Sequence, residues 1–481
     1  MSKEEARVFL WPRSVAVVGA SETPGTWGSF VMEGLMKWKF PGPIYPVNRN
    51  GGTVYGLKCY RSLQDIPSRV ELAVVAVPRE ELEETLEGCA WVGVKGMVII
   101  SAGFGEADEE GKVKEENLAR LARIHGIRLL GPNVSGTFNL HASFNASGSP
   151  AHYLVPTNLA AICQGGYAFY DLLAAGGGRK MGVGWFVHTG NECDLGVTDF
   201  LELLGEEEEV QGILMYLETI RDPRRFLEVA RGVSERKPIV VFKAGTTSAG
   251  ARAALSHTGA LAGRPEIYRG ALTQAGVILC PTMELLIPLG HFLVERPPMK
   301  GDRVAIMTMG GSWGVSLVDE LEGKGLMVPE LSSRLQGRLR ELGMPRRAST
   351  KNPVDIGAAG ISYHLSLENV VQMAREILGS EEVDGLIFHG LGRPGMAKDQ
   401  ASDRARGIFL SLEVRLMREV QALEKELQKP VVIGCCLSPW ESQAVWDLNQ
   451  EGIRTYQRLS DIAWNLVLAR QREKFLSRLL R

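Results

Sequence analysis

One histidine, His257, sits within AALSHTGALAG (253–263), with a serine before it and Thr-Gly after it. An imidazole that is neutral near pH 7 is both a proton carrier and a nucleophile, and small neighbours leave it on a narrow stretch of backbone. Read alone, the stretch is better taken as a Gly/Ala-rich surface loop with an accidental histidine, so its meaning depends on where the fold puts it. Glycine builds a second constellation. SVAVVGASETPGTWGSF (14–30) reads as strand, turn and helix start. In it Gly19, Gly25 and Gly28 would let backbone approach a phosphate, beside Ser21, and the helix offers unpaired N–H groups and the positive end of its dipole. The spacing is not G-x-G-x-x-G. The next strand ends IYPVNRN, with Val47, Asn48 and Arg49 where an NAD enzyme carries an acid for the ribose hydroxyls. An arginine there suits a phosphorylated ribose, as in NADP or coenzyme A. Three further strand ends supply Val77 and Pro78 (VAVPRE), Ala102 and Gly103 (ISAGFGE) and Asn133 (GPNVSGTFN). Several specialised ends on one sheet edge suit an extended ligand; the alternative is a generic turn without one.

The elements that position these residues are short, nearly continuous apolar runs separated by helical patterns. They include SVAVVGA, ELAVVAVP, VKGMVIIS, IRLLGPN, LAAICQGG, QGILMYLE, KPIVVFKAG, DRVAIMTMGG, VDGLIFHG and KPVVIGCC. Such runs indicate parallel strands covered on both faces, hence an α/β chain of doubly wound units. Strand, helix and strand recur in the same order from about 155 and from about 300, which predicts two copies of a flavodoxin-like fold. The first boundary falls near 141–156, and ERPPMKGD (295–302) separates the copies. The expected domains are 1–145, Rossmann-like; 146–297, flavodoxin-like; and 298–481, a second flavodoxin-like domain. The repeat locates His257: between KAG and GVILC the first copy holds more residues than the second holds between Cys436 and GIRTY. The histidine therefore lies in a loop added at the carboxyl end of a parallel strand, where α/β sheets bind ligands.

Bulk properties exclude some classes. With 481 residues, 54 Lys+Arg against 56 Asp+Glu and a net charge of −2, there is no electrostatic case for nucleic-acid or membrane binding. The 7 cysteines lack a CxxC pair, which points to reduced thiols rather than zinc or disulfides. The opening MSKEEARVFLWPRS carries acids where a signal peptide has bases, and no apolar run reaches membrane-spanning length. A cytoplasmic protein is expected.

Together VAVVGAS, YPVN, AVVAVP, GPNVSG, KAGTTSAGARAALSHTGALAG and NPVDI resemble the NDP-forming acyl-CoA synthetases, relatives of succinyl-CoA synthetase. The resemblance covers essentially the whole chain. It implies that the first domain binds CoA, that His257 is transiently phosphorylated and passes phosphate towards ADP, and that Glu218, ending ILMYLE, matches the carboxylate that orients the imidazole. It implies an anion cradle at each glycine turn opening a copy, Gly165–Gly166 in CQGGYAF and Gly310–Gly311 in MGGSWGV. Two helix N-termini would face one loop across a pseudo-twofold. The family usually has Ser-Gln-Ser-Gly-Ala where this chain has Cys163-Gln164-Gly165-Gly166-Tyr167, so a hydroxyl is missing near 165. It also has Gly-Asn-Lys-Ala-Asp where Gly190-Asn191-Glu192-Cys193-Asp194 stand. No segment resembles the ATP-grasp portion, and there is no G-x-x-x-x-G-K-[ST] loop. The resemblance thus implies an α-type subunit needing an ATP-grasp β-type partner, in a hetero-oligomer that uses CoA, phosphate and, through the partner, ADP/ATP with Mg.

Glu218 read without the family is a surface acid beginning a loop, and by sequence alignment of the copies its counterpart is Gly390. GPNVSG, CQGGYAF and HTGNECDLG are the expected acyl-site segments, with Tyr167, Phe169, Cys193 and Asp194 as candidate lining residues. Two other readings remain at this stage. One is a CoA or acyl-CoA sensor with weakened catalysis, which the altered turn at 163–167 favours. The other is an NADP-linked oxidoreductase, which rests on the first domain alone.

Overall fold

The computed structural model describes residues 3–148, 153–247, 249–250, 265–357, 366–391 and 403–479. His257 and the rest of its loop lie outside the described residues. Two compact units are present: Met1–Gly177 with Met181–Gly290, and Gly178–Lys180 with His291–Arg481.

The first unit opens with helix α1 (Lys3–Arg7) and strand β1 (Val15–Val18), followed by α2 (Trp27–Lys37), β2 (Ile44–Val47), the hairpin β3 (Gly52–Val54) and β4 (Leu57–Cys59), and β5 (Leu72–Val75). Then come α3 (Leu82–Trp91), β6 (Gly96–Ile99), α4 (Glu109–His125) and β7 (Arg128–Leu130). The five strands β2-β1-β5-β6-β7 form one parallel sheet. Its central strands VAVV, LAVV and GMVI are buried at every position, as strands with helices on both faces must be. The helices start where the chemistry dictates. Thr26 accepts the N–H of Ser29 ahead of α2 and Asp108 that of Gly111 ahead of α4, whose end is closed by Gly126 in the left-handed region at φ 68°.

A second sheet follows: β8 (Gly136–Asn139), β9 (Phe144–Ser147), β10 (Leu159–Cys163), α5 (Gly166–Gly177), β11 (Trp185–His188), α6 (Val197–Glu206), β12 (Gly212–Leu217), α7 (Pro223–Ser234), β13 (Ile239–Lys243) and β14 (Ile278–Leu279). Its order is β14-β13-β12-β10-β11-β8-β9. The antiparallel hairpin β8–β9 extends this sheet rather than the first. The reason is local: Phe138 and Phe144 are fully buried, Phe138 stacks on Phe186 at 5.1 Å, and the Thr137 hydroxyl donates to the Phe186 carbonyl.

The second unit contains β15 (Val304–Thr308), β16 (Val354–Asp355), β17 (Gly385–Leu391), β18 (Val431–Cys435) and β19 (Thr455–Tyr456), ordered β16-β15-β17-β18-β19. Taken in chain order, its strands run 2-1-3-4-5. The parallel strands β10 to β14 run in the same order, and so do those of the first sheet, which is the flavodoxin-like pattern. The repeat read from sequence is thus a repeat of topology. Its alignment shifts by one residue at the strand ends. Leu159 pairs Gly212 and Val304 pairs Gly385, and on the neighbouring strands Leu217 pairs Lys243 while Leu391 pairs Cys435, so Gly390 is not the counterpart of Glu218. A bulge between His389 and Leu391 hides this from the sequence.

Candidate active site

The carboxyl ends of β1, β2 and β5 surround a cavity of about 700 Å³. Strand order reverses between β1 and β5, and such a switch point leaves a crevice for a ligand. Gly19, Ser21, Gly25, Gly28, Val47, Asn48, Arg49, Val77 and Pro78 all line it. Asn48 donates to the Ala20 carbonyl at 3.0 Å, which ties the first turn to the second. The glycines divide into two kinds. Gly25, at φ 84°, has open space where a Cβ would stand, so its backbone faces the cavity. At Gly19 (φ 88°) a Cβ would run into the Ala76 carbonyl, and at Gly28 into that of Gly19. Those two are required for protein backbone to meet protein backbone, which corrects the sequence-based rationale of room for a phosphate. Arg49 stands at the rim, its side chain 72% exposed and paired with Glu81 at 3.1 Å. Sequence reasoning missed Arg61, Ser62 and Gln64 in the lining; they follow the β3–β4 hairpin, in a stretch with no periodicity to single them out.

A second cavity, of about 380 Å³, shares Trp27, Ala76, Val77 and Pro78 with the first. It continues past Ser101, Ala102 and Asn133 to Ser135 and His188. Gly103 stands outside both linings; its N–H donates to Glu106 at 2.5 Å and its carbonyl accepts from Arg79. Asn133, Val134 and Ser135 bring the GPNVSG segment to this cavity, and His188 brings the segment that starts HTG. Of the other candidate lining residues, Phe169 stacks on Phe186 at 5.6 Å in the core. Asp194 binds Arg128 at 2.8 and 2.9 Å and the N–H of Leu129 at 2.9 Å, and Cys193 packs against the first sheet's core. None of these three lines either cavity. The Tyr167 side chain lies outside the described set.

Beside the second cavity stands the start of α5. At Gly166 a Cβ would lie 2.5 Å from His188 Nδ1 and collide with Ser135 Oγ. At Gly165 it would lie 3.0 Å from Tyr216 Cε1 and 3.4 Å from Glu218 Oε1. Glu218, one residue past β12, is only 4% exposed, so it is no surface acid. The Tyr216 phenol bonds its carboxylate; burial, and then the Glu218 charge, push that phenol up to about 12. Gln164 holds the backbone here, its Oε1 accepting the N–H groups of Glu218 at 2.6 Å and Thr219 at 2.9 Å. Lys243, at the end of β13, donates to the Glu218 carbonyl at 2.6 Å. Gln164, Tyr216 and Lys243 were not singled out from sequence, although all three lie within quoted runs. Their spacing gives no hint that they converge.

In the second unit, Gly310 caps the helix Gly311–Glu322, and its N–H donates to Thr308 Oγ1 at 3.1 Å. A Cβ on Gly311 would lie 2.8 Å from Asp355 Oδ2. This N-terminus already faces a carboxylate, which competes with any other anion for its dipole. Among the described residues no group of three or more His, Cys, Asp or Glu is placed to hold a metal ion, and no helix is long and apolar enough to cross a membrane.

Residues 13–138 match the model of a CoA binding domain and residues 156–293 that of a succinyl-CoA ligase like flavodoxin domain. Two curated relatives are α subunits of ADP-forming acetate–CoA ligases II and I from Pyrococcus furiosus. They are 36% identical over 95% of both chains, and 40% identical over 92% of this chain and 93% of the relative. Among solved structures, acetyl-coenzyme A synthetase 1 of Ca. Korarchaeum cryptofilum, described as dinucleotide forming and in complex with phosphate and ADP, superposes with a TM-score of 0.85 at 30% identity, covering 100% of each chain.

Proposed function

From the premise that this chain belongs to the NDP-forming acyl-CoA synthetases, together with the α subunits of the ADP-forming acetate–CoA ligases, we propose a division of labour among its own residues. The chain is an α-type subunit of an ADP-forming acyl-CoA synthetase, an acid–thiol ligase. In the proposed reaction inorganic phosphate attacks the acyl-CoA thioester, giving acyl phosphate and CoA. His257 then takes the phosphoryl group and releases the carboxylic acid. ADP receives the phosphoryl group from the histidine, forming ATP. The relatives' names make acetate the first acid to try.

The adenosine end of CoA is placed in the larger cavity, near Gly25, Asn48 and Arg49, and the pantetheine passes Val77 and Pro78 towards Asn133. Phosphate is placed at the N-terminus of α5, with Gly310 and Gly311 as the second cradle of the cycle. Glu218 is proposed to accept an imidazole N–H of His257, freeing the other nitrogen to attack. The nucleotide step is assigned to an ATP-grasp β-type partner with its Mg, in a cytoplasmic hetero-oligomer. The single observation that carries this reading is the run of two adjoining cavities from the Gly19 turn to His188, ending beside the helix start where Gly165 meets Glu218.

Purified chain with labelled phosphate and acetyl-CoA should acquire acid-labile label that His257→Ala lacks. ADP should discharge it only after the partner is added. Robust ATP synthesis by the chain alone would refute the division of labour. The hydroxyl missing at Gly165 favours one competitor, a CoA-binding module without turnover; CoA binding without label, even with the partner, would decide for it.

A further inference from the structure

We propose that the His188 imidazole closes the acyl end of the coenzyme channel and limits the enzyme to acids of about the size of acetate and propionate. This rests on the reading above, in which the thiol of CoA reaches the smaller cavity. His188 ends β11 and lines that cavity, yet it is only 7% exposed, so one face of the ring meets the cavity and the rest meets protein.

The ring has no freedom to move aside. Its Nδ1 accepts the backbone N–H of Ser135 at 2.7 Å. An acceptor at Nδ1 puts the proton on Nε2, which donates to the Gln164 carbonyl at 3.0 Å. Ser135 Oγ stands 2.9 Å from Nδ1, and the Tyr170 hydroxyl donates to that oxygen at 2.8 Å. Tyr170 is buried against Phe186, their ring centroids 5.5 Å apart. On the remaining side Gly166 comes so close that a Cβ there would lie 2.5 Å from Nδ1. A buried ring fixed at both nitrogens and packed on two sides is a wall. It is not the base of a hydrolytic Ser–His pair, because Nδ1 already accepts a backbone N–H and is not open to take the serine proton.

An acyl group carried in past Trp27 and Val77 meets this wall next to the residue that opens α5, the proposed site of phosphate attack. Short acyl groups fit between; longer ones would have to displace the ring and break its hydrogen bonds.

The test uses the complete enzyme, chain plus partner, with acetate, propionate, butyrate, hexanoate and phenylacetate. The readout is the ratio of kcat/KM for each acid to that for acetate. Wild type should fall by about tenfold or more once the acid exceeds the available length, since a single methylene is worth roughly 10- to 200-fold in a fitted pocket. His188→Ser should raise the hexanoate-to-acetate ratio by about tenfold or more, while His188→Gln, of similar reach and hydrogen bonding, should leave the ratio near that of wild type. CoA-induced thermal stabilisation reports that each variant is folded. Folded His188→Ser with an unchanged ratio overturns the wall alone. If that variant does not fold, the wild-type profile decides: equal kcat/KM for acetate and hexanoate overturns the proposal, and a steep fall supports it. A wild-type complex that binds CoA but turns over no acid overturns the functional reading and the wall together.

Discussion

Gln164 grips Glu218 by its backbone: the amide oxygen of one accepts the N–H of the other at 2.6 Å and that of Thr219 at 2.9 Å. The amide nitrogen of Gln164 donates in turn to Glu192 at 3.0 Å, and Glu192 also accepts from Thr189 at 2.8 Å and from the N–H of Val197 at 3.2 Å. A residue at the end of β10 thus sets where a residue at the end of β12 stands, through a polar network that is buried throughout. Such networks rigidify a site when every member is satisfied.

Gln164→Ala should therefore act twice. It leaves two buried N–H groups without their acceptor, at about 1–3 kcal/mol for each unmet group, and it loosens the backbone beneath the Glu218 carboxylate. Urea denaturation should show the first effect, and the initial rate of His257 labelling should fall beyond what the loss of folded protein explains. A variant as stable as wild type that labels at the same rate would show that the glutamine holds nothing of consequence.

Glu218→Gln keeps the size of the side chain and should leave the fold intact. An amide cannot stabilise a developing imidazolium, so labelling of His257 should slow by about 10²-fold or more. The Tyr216 phenol, pushed up to about 12 partly by the Glu218 charge, should titrate lower in this variant, which a tyrosine-selective NMR titration would read. An unchanged labelling rate would mean that another carboxylate orients the histidine.

Burial pushes the Glu192 carboxyl up from its ordinary range, against the opposing hydrogen bonds of Gln164 and Thr189. With the folded value above the unfolded one, the stability this group contributes is complete below about pH 4.5 and is lost as pH rises through its folded value. Glu192→Gln removes that titration. The variant should gain on wild type as pH goes from acid to neutral, and urea midpoints measured at several pH values would trace it. A stability difference independent of pH would show that Glu192 titrates alike in the folded and unfolded chain.

The adjacent glycines should answer the same substitution in opposite ways. At Gly165 a serine Cβ meets a ring edge at 3.0 Å and a carboxylate oxygen at 3.4 Å, contacts that small side-chain shifts relieve. Gly165→Ser should fold and lower the KM for phosphate several-fold by supplying a hydroxyl at the helix start. Gly166→Ser drives a Cβ into the clamped Ser135–His188 pair and should destabilise by about 1–3 kcal/mol. Calorimetry of the two variants separates them; equal melting temperatures would contradict the geometry of the Gly166 contact.

The three sheets were legible because many of their strands are unbroken apolar runs; VAVV and LAAIC, for example, are buried at every position. The larger cavity was legible because Gly19, Asn48 and Pro78 all follow such runs directly. Other features needed the third dimension. Nothing in the local pattern reveals that Gly28 is small to admit the Gly19 carbonyl, that His188 is clamped by a serine from the segment ahead of β8, or that a bulge displaces Gly390. Asp194 keeps the residue type the resemblance leads one to expect and Phe169 falls in an expected acyl-site segment, yet one closes an ion pair with Arg128 and the other fills the core. Residue type constrained their chemistry without saying which way they point.

Arg49 carries the last prediction, because its position admits two accounts. Its side chain is 72% exposed, the guanidinium paired with Glu81 at 3.1 Å, and an exposed pair of this kind adds little to stability. The arginine is thus cheaply redirected to a ligand. If it receives the 3′-phosphate of CoA, Arg49→Glu should weaken CoA by about tenfold or more, the worth of a charge-assisted hydrogen bond, and should affect dephospho-CoA far less. Glu81→Gln, which frees the guanidinium, should tighten CoA modestly. NAD should produce no thermal shift in any of these proteins, since no acid stands at the second strand end to take its ribose. Titration calorimetry with CoA and dephospho-CoA decides the matter. Equal losses for the two ligands would dismiss Arg49 from this role and turn attention to Arg61, the other arginine lining the same cavity, whose replacement by glutamate should then discriminate between them.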